Sequence, residues 1–208
     1  TIRLTCSINF GVPYLAPAIA AFQSRYPEVL FDVSASDRFV DLVEEGLDLA
    51  IRIGDLGNPN LIARKIGQMR LTTCASPAYL QIHGTPKRPE DLATHNCLTY
   101  EYAPVKNQWP FLDRQGKELN IHISGSVHAN NGEMLASIAA EGVGIANEPD
   151  FIVNRLLKSG RLVPILTKFQ RKPYSIYAVY PSRRHLSAKV RTFVDFLVVR
   201  FAKLGTLD

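Results

Sequence analysis

Three cysteines and five histidines are the side chains with which this 208-residue chain could do covalent or metal chemistry. Cys6, Cys74 and Cys97 stand in no catalytic-cysteine motif, and no G-x-S-x-G turn surrounds any serine. His83, His95, His122, His128 and His185 are dispersed. His122 and His128 lie six apart, on a strand and the loop after it, where period-two alternation would put both on one face. No Cys or Asp stands at the spacing that a third ligand requires. The expectation is no enzyme, no metal and no cofactor. An odd cysteine count without a CxxC argues against a disulfide scaffold and fits a reducing compartment. Cys6 and Cys74 fall in apolar strand-like runs, where a thiol serves as a small hydrophobe.

Non-covalent capture of a small polar molecule fits the residues better. Ser7, Asn9 and Phe10 lie between a strand end and a helix start, where free N–H groups and the helix dipole favour an anion. Ser36 holds the equivalent place after the second strand, and Arg52 and Gly54 close the third. Asn130 and Asn131 open a later helix. A hydroxyl, a carbonyl and a guanidinium around one cleft suit a carboxylate-bearing ligand. Each residue also has a plainer role. Ser36, Asn130 and Asn131 are helix caps by type, and Arg52 has Asp37, Asp41 and Asp48 within reach as ion-pair partners. The set at strand ends, rather than any one member, points to a site.

The elements that must position this set follow from periodicity. Ile2, Leu4, Cys6 and Ile8 alternate as a first strand. Asn9-Phe10-Gly11 reads as a turn, and Pro13 opens a helix to about residue 25. Residues 30–35 form a second strand. Ser36 or Asp37 caps a second helix with Phe39, Val40, Leu42 and Val43 on one face, Gly46 ends it, and Leu47, Leu49, Ile51 and Ile53 alternate as a third strand. That is βαβαβ, which demands a parallel sheet whose ligand sits beyond the strand carboxyl ends. A second region carries a hairpin around Asp113-Arg114-Gln115-Gly116 and helices opened by Asn130-Asn131 and Pro149. A late strand at residues 175–180 and a final helix capped by Ser187 return to the first sheet. The fold class is α/β, with two Rossmann-like subdomains and a cleft between them: residues 1–73, 74–173 and a return over 174–208.

Composition agrees. At 46% hydrophobic the chain can bury a full core, and no apolar run approaches membrane-spanning length. Residues 1–5 read as a strand, not a signal peptide, and with no initiator Met the expectation is a fragment of a longer protein. The net charge of +5 is uneven: from residue 150 onward 12 Lys/Arg face 3 Asp/Glu. These basic residues are scattered without an aromatic platform, so they read as solvated surface rather than a nucleic-acid face.

The segment Asp37-Arg38-Phe39-Val40-Asp41-Leu42-Val43-Glu44-Glu45-Gly46-Leu47-Asp48-Leu49-Ala50-Ile51-Arg52-Ile53-Gly54 resembles the effector-binding domain of LysR-type transcriptional regulators. Ala75-Ser76-Pro77-Ala78-Tyr79-Leu80, Ala140-Glu141-Gly142-Val143-Gly144-Ile145-Ala146 and Tyr180-Pro181-Ser182-Arg183-Arg184-His185 extend the resemblance over nearly the whole chain. It implies the two-lobed fold of periplasmic binding proteins and a small-molecule effector in the cleft. It also implies a homodimer or homotetramer, promoter DNA bound through an N-terminal helix-turn-helix absent here, a cytoplasmic location and no membrane partner. Family positions place Ser7, Asn9, Phe10, Ser36, Arg52, Tyr100, Asn130 and Asn131 near the effector. Asn147-Glu148-Pro149 departs from the family's more apolar segment, and Glu148 would disfavour an anion nearby. A solute-binding protein of a transporter is the alternative that the same fold admits.

Overall fold

The computed structural model describes residues 1–54, 61–182 and 186–202. It divides into two compact units, Thr1–Gln68 with Tyr174–Leu207, and Met69–Pro173. The first is built on a five-stranded sheet in the order β2 (Phe31–Ala35), β1 (Ile2–Cys6), β3 (Leu49–Ile53), β12 (Tyr174–Pro181), β4 (Leu61–Met69). Its first strand in the chain, β1 (Ile2–Cys6), pairs in parallel with β2 (Phe31–Ala35) on one side and β3 (Leu49–Ile53) on the other. Ile2, Leu4, Thr5 and Cys6 are all buried, so alternation gives way at Thr5, as expected of a parallel strand covered on both faces.

The chain leaves β1 directly into a helix. Ser7, in extended geometry, stands at the N-cap position of α1 (Ile8–Phe10), which passes through a π-turn at Gly11–Leu15 into α2 (Ala16–Gln23). Residues 9–11 are therefore helical and not the expected turn. Pro13, expected to start the helix, sits inside the π-turn, where the missing N–H interrupts regular i→i−4 bonding. Phe22 of α2 is fully buried and meets Phe31 and Phe193 edge-on, with ring centroids 6.0 and 4.9 Å apart.

The expected second helix is reduced to a single turn at residues 42–46. Its presumed caps are spent elsewhere: Ser36 Oγ accepts from the Arg38 N–H, and Asp37 Oδ1 accepts from the Ile8 N–H. Capping falls to Asp41, whose Oδ1 accepts from the N–H groups of Val43 and Glu44 at 2.8 and 3.1 Å. Leu47 N–H donates to Leu42 O and Gly46 N–H to Val43 O, with Gly46 at φ +65°. This 6→1 and 5→2 pair is a Schellman stop. Start and stop are thus too close for more than one turn.

β4 (Leu61–Met69) lies in the first sheet, and at its last residue the chain passes to the second unit, whose first strand is β5 (Leu71–Ala75). The sequence reading kept residues 69–73 with the first subdomain. In the structure β5 pairs with second-unit strands and those residues go with it. Next come α3 (Pro77–His83), capped by Ser76 Oγ accepting from Tyr79 N–H, a 3-10 turn at Pro89–Thr94, and β6 (Thr99–Tyr100). A hairpin of β7 (Gln108–Leu112) and β8 (Glu118–His122) follows, its turn held by Asp113 Oδ1, which accepts from Gln115 and Lys117 N–H. Then come β9 (His128–Ala129), α4 (Gly132–Ala140), β10 (Ile145–Pro149), α5 (Asp150–Lys158) and β11 (Val163–Pro164).

Strands β10 and β11 flank β5, and two cores lie on opposite faces of this sheet. One holds Ala75, Trp109, Phe111 and Ile145; the other holds the alternate residues Cys74 and Ala146 with Leu135 and Val153. Finally β12 (Tyr174–Pro181) returns antiparallel to β3, and α6 (Ala188–Ala202) buries Val190, Phe193, Val194, Leu197 and Phe201.

The loop at 55–60 and the Arg183-Arg184-His185 part of the quoted motif lie outside the described residues. Gly46→Ala forces a Cβ into left-handed geometry and is expected to cost about 1 kcal/mol. Urea denaturation of the purified protein measures it. Since no atom other than its chain neighbours lies within 4 Å of that Cβ, a larger loss would mean the turn has a packing role not seen here.

Candidate functional site

The first unit gathers three of the expected residues at one edge of its sheet. Cys6 and Ala35 are register partners, so Ser7 and Ser36 leave the carboxyl ends of adjacent parallel strands. Ser36 N–H donates to Cys6 O at 2.8 Å. Thr5 pairs with Ala50, and Arg52 lies two residues beyond Ala50 as Ser7 lies two beyond Thr5. β2 and β3 lie on opposite sides of β1, so the β1–β3 gap is the switch point where open sheets hold ligands.

Ser7 makes no side-chain capping bond although it occupies the N-cap position. Its carbonyl accepts from Gly11 N–H at 2.8 Å. Beside it, Asn9 Oδ1 is buried without a hydrogen-bond partner among the described residues. Such an acceptor costs roughly 1–3 kcal/mol and is seldom left unmet.

Phe10 is different. It is 1% exposed and packs against Tyr14 and Phe201, so its ring belongs to the core and only its backbone is available for binding. Arg52 Nη2 donates to Arg38 O at 3.3 Å, and its guanidinium lies 5.2 Å from the Phe39 ring centroid. These contacts tie Arg52 to the segment after β2. Of the ion-pair partners considered from sequence, Asp41 caps its turn, Asp48 Oδ2 accepts from Arg3 N–H, and Asp37 Oδ1 accepts from Ile8 N–H at 3.2 Å.

Asp37 was missed as a site residue. It brings a carboxylate to the start of α1, where sequence reading expected an anion to bind. No local signal marks it, because its partner lies 29 residues earlier.

The remaining three residues belong to the second unit. Tyr100 is half-buried, pairs with Ala129 and meets the Tyr102 ring edge-on at 5.8 Å. Asn130 is exposed. Asn131 caps α4, its Oδ1 accepting from Met134 N–H at 2.9 Å. The plainer reading of Asn131 therefore applies, and its amide nitrogen is what it retains for a ligand. Glu148 is 4% exposed and lies against Gly132, the first residue of α4.

The covalent and metal candidates are otherwise engaged. Burial pushes the Cys6 thiol up to about 11 and those of Cys74 and Cys97 to about 12. His95 Nδ1 lies 3.2 Å from Tyr79 Oη, and burial, with His83 second, holds its imidazole below the ordinary value. His128 Nε2 sits 2.5 Å from Glu101 and its Nδ1 3.0 Å from Thr99 Oγ1. His185 lies outside the described residues. Among the described residues no group of three or more His, Cys, Asp or Glu could hold a metal ion, and no helix is long and apolar enough to cross a membrane.

The chain has relatives among known proteins. Residues 1–202 match the family model described as "LysR substrate binding domain". The HTH-type transcriptional regulator DmlR of Escherichia coli is 38% identical over 203 residues, 97% of this chain and 66% of that protein. The chain thus spans less than two thirds of the length of such relatives. Its fold matches the regulatory domain of CrgA, a LysR-type transcriptional regulator from Neisseria meningitidis, with a TM-score of 0.81 and 34% identity, covering 96% of this chain and 98% of that one. Full-length AphB, a Vibrio cholerae virulence activator, matches with a TM-score of 0.80 and 30% identity over 96% of this chain and 68% of that one. These relatives are named as transcriptional regulators and activators, not as enzymes or transport proteins.

The raised thiols generate a direct expectation. At neutral pH the native protein should leave a disulfide reagent such as DTNB almost unconsumed, and three thiols should react once it is unfolded. Rapid labelling of a thiol in the native state would contradict the burial described here.

Proposed function

The chain belongs to the LysR substrate-binding domain family, and on that premise we propose that it is the effector-sensing module of a DNA-binding transcriptional regulator. A small polar metabolite is received by Ser7, Asn9, Ser36 and Arg52 of the first unit, and Tyr100, Asn130 and Asn131 of the second unit are further candidates for its contacts. The observation that carries this reading is at the carboxyl edge of β1. There an N-cap serine makes no cap bond, and the neighbouring Asn9 oxygen is buried and unmet. An incoming hydroxyl or N–H satisfies Asn9, and a carboxylate is received by the two serine hydroxyls with Arg52 as counter-charge. Asp37 already holds the Ile8 N–H, so Arg52 is the cation on which a carboxylate depends.

Regulation requires the effector to favour one arrangement of the two units, because equal affinity for both shifts nothing. The whole protein would act in the cytoplasm as a homodimer or homotetramer. The first helix of one copy, over residues 13–25, would pack against the second-unit helix of its partner, over residues 133–141. A helix-turn-helix outside this sequence would contact promoter DNA. The names of the relatives favour this regulator over a transporter's binding protein.

Screening metabolites by thermal shift identifies the effector, since ligand binding raises apparent stability by mass action. With it in hand, Ser7→Ala combined with Asn9→Ala should weaken binding at least about tenfold, the loss of two hydrogen bonds of roughly 1 kcal/mol each. The melting temperature without effector should hold, because Asn9 Oδ1 has no partner to lose. Unchanged affinity by calorimetry would remove these residues from the site.

A further inference from the structure

Tyr79 is the buried centre of a hydrogen-bonded chain within the second unit. It is 2% exposed and lies in the core with Cys97 and Trp109. Its hydroxyl oxygen accepts from the Asn96 N–H at 3.0 Å and lies 3.2 Å from His95 Nδ1. A backbone N–H can only donate, so the phenol proton is left for His95, and Nδ1 must be bare to accept it. The half-buried His95 is therefore held neutral, with its proton on Nε2. A proton on Nδ1 would oppose the phenol proton, and stranding a donor in the core is costly. Asn96 carries the chain further. Its Nδ2 donates to Ser126 Oγ at 2.9 Å and to Val143 O at 2.7 Å, and its Oδ1 accepts from Ser126 N–H at 2.7 Å. Its carbonyl accepts from Ile145 N–H at 2.8 Å. The approach to β9 and the start of β10 thus meet α3 at this residue. A Cβ at Gly144 would run into Asn96 O and one at Gly125 into Cys97 O, so the backbone is packed too closely here to absorb a shift.

We propose that Tyr79, His95 and Asn96 form a pH-sensitive switch in the second unit: protonation of His95 breaks its bond with the Tyr79 hydroxyl and loosens the junction at Asn96. The titratable and charged groups that act on His95 come from α3 and the 3-10 turn. His83 stacks on the Tyr79 ring, with centroids 4.5 Å apart, and opposes a charge on His95. Asp91 favours that charge, but its oxygens already accept from the N–H groups of Lys87 and Arg88 and from Arg88 Nε. Cys97, beside Tyr79, is a buried thiol. Burial first and His83 second keep the His95 imidazole below its ordinary value. In the unfolded chain a histidine takes its proton near about pH 6.5. Below that pH the unfolded state binds the proton first, so stability present at higher pH is lost as pH falls toward the native value of His95. Thr99 N–H donates to Val127 O, next to Ser126, so the loosening reaches the β6–β9 pair that carries Tyr100. None of this depends on what binds there.

NMR of the 15N-labelled protein between about pH 8 and about pH 5, the range in which histidine changes charge, is the test. At neutral pH His95 Nδ1 should show the shift of an unprotonated nitrogen. On acidification the amides of Asn96 and Ser126 should move with the His95 midpoint. A protonated Nδ1 at neutral pH, or amides that ignore that midpoint, overturns the proposal. His95→Asn keeps an acceptor in the place of Nδ1 but does not titrate. Its melting temperature should fall less on acidification than that of the unaltered protein, and equal falls overturn the proposal as well.

Discussion

Parallel pairing on both sides of β1 is the constraint from which the first unit follows. A strand bonded to β2 and β3 at once must be buried on both faces, which explains why Ile2, Leu4, Thr5 and Cys6 are all inaccessible. It also fixes where three chain segments end. With Cys6 opposite Ala35 and Thr5 opposite Ala50, Ser7, Ser36 and Arg52 are delivered to one edge by register alone. A slip of one residue would exchange faces along a whole strand, so the site's geometry is as well determined as the core. The aromatic group of Phe22, Phe31 and Phe193 anchors α2 and α6 to this sheet.

Helix starts are the second theme. Each exposes N–H groups that must be met, and among the described residues side chains meet several of them. Ser76 and Asn131 cap by side chain, Asp41 caps a single turn, Asp37 crosses 29 residues to reach Ile8, and Glu148 packs against Gly132. Ser7 stands at the N-cap of α1 with its hydroxyl uncommitted to capping.

Much of this was legible in the sequence. Strict alternation in residues 2–8, 30–35 and 47–53 placed three strands and their parallel pairing, because period two survives even in short runs. Ser76-Pro77, Gly142, and the apolar face of Val190, Phe193, Val194 and Leu197 marked helix boundaries and packing through local chemistry alone. Position at strand ends identified Ser7, Ser36 and Arg52 for the same reason. What escaped depends on distant partners. Residues 36–46 have a helical pattern, yet Ser36 and Asp37 bond outside it, and the cap falls on Asp41 too near Gly46. Phe10 reads as a ligand-side aromatic but turns into the core against Phe201, nearly 200 positions away in the chain. Asn131 follows local rules and caps. Glu148 was visible as an unusual charge beside Pro149, but its contact with Gly132 is tertiary.

The family assignment then gives these features a common purpose without supplying the ligand. On the proposed reading, its identity is written in side chains that the fold does not need, such as the Ser7 hydroxyl without a capping bond and the unmet Asn9 oxygen. Amide chemical-shift mapping of the 15N-labelled domain saturated with its effector tests this most directly. The largest changes should fall at residues 7–10 and at Ser36, with Gly54 beside them. If those amides stay still while changes gather on the β7–β8 hairpin or along α6, the effector binds elsewhere and the account of the β1 edge is wrong.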